Sequence, residues 1–93
     1  MEQKRTVEIL KALADDMRLS IVKKLAQDRE PMASCDLVSE CASMQQLSQP
    51  AMSHHFNRLV EVGILREEKH GTKKIYSLDR ELLNHIGVDA TKL

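Results

Sequence analysis

Aromatic side chains are nearly absent: Phe56 and Tyr76 are the only two in 93 residues, and there is no tryptophan. Modules that hold unstacked bases need several aromatic platforms, so single-strand nucleic-acid binding is not expected. Glycine is equally sparse, at positions 63, 71 and 87, and this spacing forms neither type of loop that cradles nucleotide phosphates. Two cysteines, Cys35 and Cys41, make no CxxC and have no histidine at zinc-site spacing. A disulfide framework and a structural zinc site are therefore not expected, and neither is any other metal or cofactor. Charge of one sign is missing too: 14 basic and 14 acidic residues cancel, which excludes a uniformly basic coat. No long apolar run occurs, and the N-terminal MEQKRTVEIL has no hydrophobic h-region, so no membrane span or signal peptide is expected and a cytoplasmic location follows.

What remains is an ordered composition, 42% hydrophobic, in a chain sized for one domain spanning residues 1–93. Cores this small are commonly supplemented by oligomerisation once disulfides and metals are set aside. Along the chain, Val7, Ile9, Leu10, Leu13 and Ala14 recur at helical spacing in a stripe wider than one short helix needs. Asp15 or Asp16 can cap a second helix carrying Met17, Ile21, Val22 and Leu25, which ends near Gln27. Pro31 marks a loop at 28–32, after which Ser34 can cap a short third helix through Cys41. A fourth helix opens at Ser48 or Gln49 with Pro50 in its first turn and runs to about Val62, where Gly63 stops it. Ile64 to Lys69 and Lys73 to Leu78 then read as a hairpin around His70, Gly71 and Thr72. Asp79 caps a last short helix with Leu82, Leu83 and Ile86, Gly87 ends it, and 88–93 are expected to fray. Four helices, a hairpin and a short helix make a mainly α, winged helix-turn-helix plan.

Helix four is the informative segment. With about 100° per residue, Phe56, Leu59 and Val60 cluster within about 80° of Met52, while Pro50, His54, Asn57, Arg58 and Glu61 face away. One face is core, and the other carries groups suited to base edges and phosphates. His55, at about 300°, reads as partly buried and structural. Residues 48–74 hold five basic and three acidic side chains, a mild local excess in a neutral chain.

SQPAMSHHF at Ser48 to Phe56, the following NRLVEVGIL and the KHGTKKIYSL hairpin, together with LKALADDMRLSIVKKL at Leu10 to Leu25, closely resemble the ArsR family of winged-helix transcriptional repressors. The likeness covers most of the chain. It implies a homodimer in which two recognition helices read a two-fold operator in double-stranded DNA while the hairpins act as wings. Gln49, Ser53 and His54 match base- or phosphate-contacting positions, Arg58 a basic backbone-contacting position, and Lys73 and Lys74 lie on the wing; Ser48 is either a contact or only a cap. The dimer is expected through 1–14 and 79–87, with Val7, Leu10, Leu13 and Ile86 as interface residues.

Family members commonly sense a metal, metalloid or oxidant, yet at the CxC position of the third helix this chain has Ala33 and Cys35, and its last helix, DRELLNHIGVD, lacks the D-x-H pair. Neither sensor site is expected, and no string names an inducer. On one helix, Cys35 and Cys41 would lie about 9 Å apart along the axis, too far for a disulfide. An added helical turn is expected at Met44 to Gln46, where the chain is longer than the family's usual turn. Arg18 can reach a phosphate or brace the second helix, and bracing is preferred. Ser, His and Asp all occur without the context of a nucleophile elbow or metal site, so no enzyme is expected. The alternative is a winged-helix protein-interaction module without DNA binding.

Overall fold

The computed structural model describes residues 2–41 and 46–93. Helices α1 (Gln3–Leu13), α2 (Asp16–Asp28), α3 (Ser34–Glu40), α4 (Gln49–Glu61) and α5 (Arg80–His85) are joined by a small sheet of β1 (Met32–Ala33), β2 (Leu65–His70) and β3 (Lys73–Leu78). The sheet is antiparallel in the order β1-β3-β2, with Met32 opposite Tyr76 and Leu65 opposite Leu78. This is the winged helix-turn-helix plan with one strand added. Among the described residues, no helix is long and apolar enough to cross a membrane.

Local chemistry sets the boundaries. Asp15 is the cap of α2, its carboxylate accepting from the Arg18 N–H at 3.0 Å, and Asp79 caps α5 through the Leu82 N–H at 3.1 Å. Gly63 follows α4 at φ +88°, a left-handed conformation that costs a residue with Cβ. It lets the Gly63 N–H reach the Val60 carbonyl and the Ile64 N–H the Leu59 carbonyl, both at 3.0 Å. Those two bonds satisfy carbonyls that the helix end leaves open. Gly87 repeats the arrangement after α5, with Val88 bonded to Leu83 at 2.8 Å.

Four expectations need correction. Met32, read as the end of a loop, opens the strand Met32–Ala33, because the backbone there pairs with Tyr76 and Ile75. Ser34 is the first residue of α3 and not its cap; Ala33 holds that place without a side-chain bond. Cys41 lies just past α3 in extended backbone (φ −106°, ψ 95°), so the two thiols do not share one helix. Residues 88–93 do not simply fray: Ala90–Lys92 form a 3₁₀ turn capped by Asp89, with Ala90 buried. The turn expected at Met44 to Gln46 falls largely outside the described residues.

Ile9 and Ala12 of α1, Ile21 and Val22 of α2, Leu37 of α3 and Leu59 of α4 have no exposed surface. Phe56 of α4 stacks on Tyr76 of β3, with centroids 4.5 Å apart and planes 9° from parallel. Both of the chain's aromatic residues thus lie in the core, fastening the wing to α4. The Tyr76 hydroxyl donates to Glu67 Oε1 at 2.9 Å; burial, then this carboxylate, pushes its pKa well up, so it stays a donor.

The Asp15 carboxylate links α2 to α4, since besides capping α2 its Oδ2 lies 3.6 Å from His55 Nδ1. Burial works to raise its pKa, but the Arg18 N–H and guanidinium and His55 prevail, and the carboxyl sits below its ordinary 3.8. A lowered folded pKa contributes stability above the unfolded value and loses it as pH falls through the folded one. Asp15→Ala should therefore cost about 0.5–2 kcal/mol at neutral pH, and the gap from wild type should close as the medium is acidified below 3.8. Urea midpoints measured from neutral pH downward check this; a gap that persists undiminished in acid refutes it.

Candidate nucleic-acid interface

Ser48 caps α4, its Oγ accepting from the Ala51 N–H at 3.3 Å while its own hydroxyl proton stays available. Pro50 sits in the first turn, where a missing N–H is harmless. Because Phe56 and Leu59 are buried and Met52 and Val60 partly so, the opposite side of the helix must face outward. Ser48, Gln49, Ser53, His54 and Asn57 are all exposed or nearly so.

Across from the N-terminal half of α4 stands the wing. Between them and α3 is an open cleft of about 710 Å³, lined by Gln49, Ser53 and Asn57 of α4, Cys35 of α3, and Thr72, Lys73 and Lys74 of the hairpin. Gln49, Ser53, Lys73 and Lys74 are therefore brought together. Asn57 and Thr72 join them without having been singled out as contacts; the rotation of α4 already put Asn57 on the polar face, whereas nothing in the string marks Thr72. Ser48 and His54 lie outside this cleft, His54 with its ring edge-on to His55 at 5.9 Å.

The register places Lys69 opposite Lys74 and His70 opposite Lys73 at the tip of the wing. The like charges of Lys69 and Lys74, facing across the ladder, repel and favour an anionic partner. Lys74 is partly neutralised by Glu67, 3.5 Å away. Lys73 is exposed at the same tip.

Arg58 is placed differently. Its Nη2 donates to Glu8 Oε2 of α1 at 2.9 Å, and Nη1 lies 3.8 Å from Glu61. The guanidinium, with help from Lys11, holds the Glu8 carboxyl below its ordinary range. Arg18 braces the fold: Nε donates to the Ala12 carbonyl at 2.6 Å, and Nη1 lies 3.4 Å from His55 Nδ1. Of the residues expected at a dimer interface, Val7 and Leu10 are 39% and 47% exposed, Leu13 is buried in the chain's own core, and Ile86 is half-buried against it. Among the described residues, no group of three or more His, Cys, Asp or Glu is placed to hold a metal ion.

Comparison with known proteins agrees with this geometry. The family model of bacterial regulatory proteins of the arsR family matches residues 15–67. The chain is 36% identical over 86 residues to the arsenical resistance operon repressor of Staphylococcus xylosus, covering 92% of this chain and 77% of that one. To its Escherichia coli counterpart it is 39% identical over 87 residues, 94% and 67% of the two chains. HlyU from Vibrio cholerae superposes with a TM-score of 0.72 at 29% identity, over 92% of this chain and 90% of HlyU. A crystal structure of an ArsR family regulator shares the fold at TM-score 0.78 and 21% identity, over 92% and 82% of the chains. The chain belongs to the ArsR family of bacterial regulatory proteins: it is a winged-helix DNA-binding transcriptional regulator, not an enzyme.

Proposed function

We propose that the chain is a homodimeric repressor in which α4 of each subunit enters one major groove of a two-fold operator while the wing rests on the flanking duplex. The observation that carries this is the shared cleft: Gln49 and Ser53 on the exposed side of α4 face the same opening as Lys73 and Lys74. Base-edge donors and acceptors beside sequence-blind cations are the two kinds of contact a specific DNA reader needs. Ser48 and His54 extend the reading surface along the first two turns. Val7 and Leu10 supply the apolar flank for the second subunit, with Ile86 at its margin.

The arsenical resistance of the relatives is not assigned to this chain through α3. A thiolate pair is the soft donor set such a site would use, and Ala33 stands beside the lone Cys35 at that place.

Selecting bound sites from a random duplex library, then titrating the selected site at several salt concentrations, tests the reading. Log affinity should fall linearly with log salt as counterions leave the DNA, and the selected site should bind about 10³-fold or more tighter than a scrambled one. No duplex binding at low salt would instead support a protein-interaction module, the reading to which zero net charge lends itself.

A further inference from the structure

We infer that Glu8 is a positioning residue for operator recognition, tying the DNA-reading helix α4 to α1 through Arg58. This rests on the operator reading above. Helix α1 has three sides. Taking Ile9 as zero and about 100° per residue, Glu8 lies about 100° to one side, Leu10 about 100° to the other, and Val7 beyond it. Ile9 and Ala12 fill the core, and Val7 and Leu10 are exposed. Glu8 faces α4, where a groove lined by Arg5, Glu8, Arg58 and Glu61 runs between the helices. One short helix therefore carries both the apolar flank offered to a second subunit and the carboxylate that grips α4.

A second tie lies three residues earlier on α4. His55 Nδ1 is 3.4 Å from Arg18 Nη1, and Arg18 is itself fastened to the Ala12 carbonyl at the end of α1. The two ties hold α4 to α1 along one edge, so the spacing and tilt of two recognition helices in a dimer follow from how each α4 is set on its own α1. Rigid placement of a reading surface depends on such supporting contacts. Arg58, flanked by Glu8 at 2.9 Å and Glu61 at 3.8 Å, is poorly placed for a phosphate, which both carboxylates repel.

The two roles for Arg58 differ in the sign of what Glu8→Gln does. If Arg58 binds phosphate, Glu8 competes for it, and neutralising Glu8 tightens DNA binding. If Arg58 is the tie, the same change loosens α4 and weakens binding. The pair is partly exposed, so its loss leaves the fold standing. Glu8→Gln, Arg58→Ala and their combination are titrated against the selected operator by fluorescence anisotropy at several salt concentrations, with helicity and dimer mass checked alongside. Glu8→Gln should weaken binding about three- to tenfold with the salt slope, helicity and mass unchanged, and the double variant should be no weaker than the worse single, as coupled residues behave. Glu8→Arg combined with Arg58→Glu should recover part of the loss.

Equal or tighter binding by Glu8→Gln overturns the inference alone. So does additivity in the double variant, or a salt slope that drops by about one per subunit in Arg58→Ala. A wild-type chain that binds no duplex overturns the operator reading and this inference together.

Discussion

Leu10→Glu is expected to convert the protein to a folded monomer and to lower operator affinity by about 10² or more. Leu10 is 47% exposed on a helix whose inward positions, Ile9 and Ala12, are fully buried, so within one subunit it contributes little and a carboxylate there is harmless. In a dimer packed on the Val7 and Leu10 flank, the same carboxylate is desolvated without a partner, at a cost of several kcal/mol. The DNA effect follows from bivalency. Two linked recognition helices bind the second half-site intramolecularly, an advantage of about 10² to 10⁴ over one helix. Light scattering reads the mass, circular dichroism the helicity, and anisotropy the affinity. Retained helicity with monomer mass and weak binding is the expected outcome. A wild-type monomer at high micromolar concentration, or a Leu10→Glu dimer with full affinity, removes the α1 interface.

Leu13 shows why the surface that covers an apolar stripe is not legible in the sequence. Its place in the α1 stripe makes it look like a partner-facing residue, yet it is 8% exposed and buried by its own chain. Periodicity reports that a face is apolar but not which surface covers it. The same limit hid the Glu8–Arg58 tie: the helical projection of α4 puts Arg58 opposite Met52, and only the packing of α1 decides that this side meets a carboxylate 50 positions away.

Elements whose ends rest on local chemistry were readable. The cap carboxylates of Asp15 and Asp79, the Ser48 cap with Pro50, and Gly63 and Gly87 at positive φ act on close sequence neighbours. His55 was readable by its angle on α4, and it is half-buried against Asp15 and Arg18. Met32–Ala33 was not, because a two-residue strand has no period and exists only through its bonds to Tyr76 and Ile75. Ala90–Lys92 escaped notice likewise: it is held by Asp89 and by the burial of one alanine, which a short terminal string does not announce.

The sharpest functional test sets His54 against Lys73, since both are exposed and both are proposed to meet DNA. With α4 in a major groove, the two half-sites should lie about 34 Å apart, one helical turn, or a multiple of it. His54, in the second turn of α4, then faces base edges. His54→Ala should weaken the selected site by about 1–3 kcal/mol and relax one base position per half-site, because discrimination resides in base contacts. In the proposed complex Lys73, at the tip of the wing opposite His70, meets the backbone. Lys73→Ala should weaken selected and scrambled duplexes alike and lower the salt slope by about one for each phosphate that a subunit no longer neutralises. Neither side chain is buried, so helicity and dimer mass should hold in both variants. The ratio of selected to scrambled affinity is the deciding quantity: it should fall for His54→Ala and stay level for Lys73→Ala. An unchanged ratio in His54→Ala, with mass and helicity intact, would move the reading surface off the first two turns of α4.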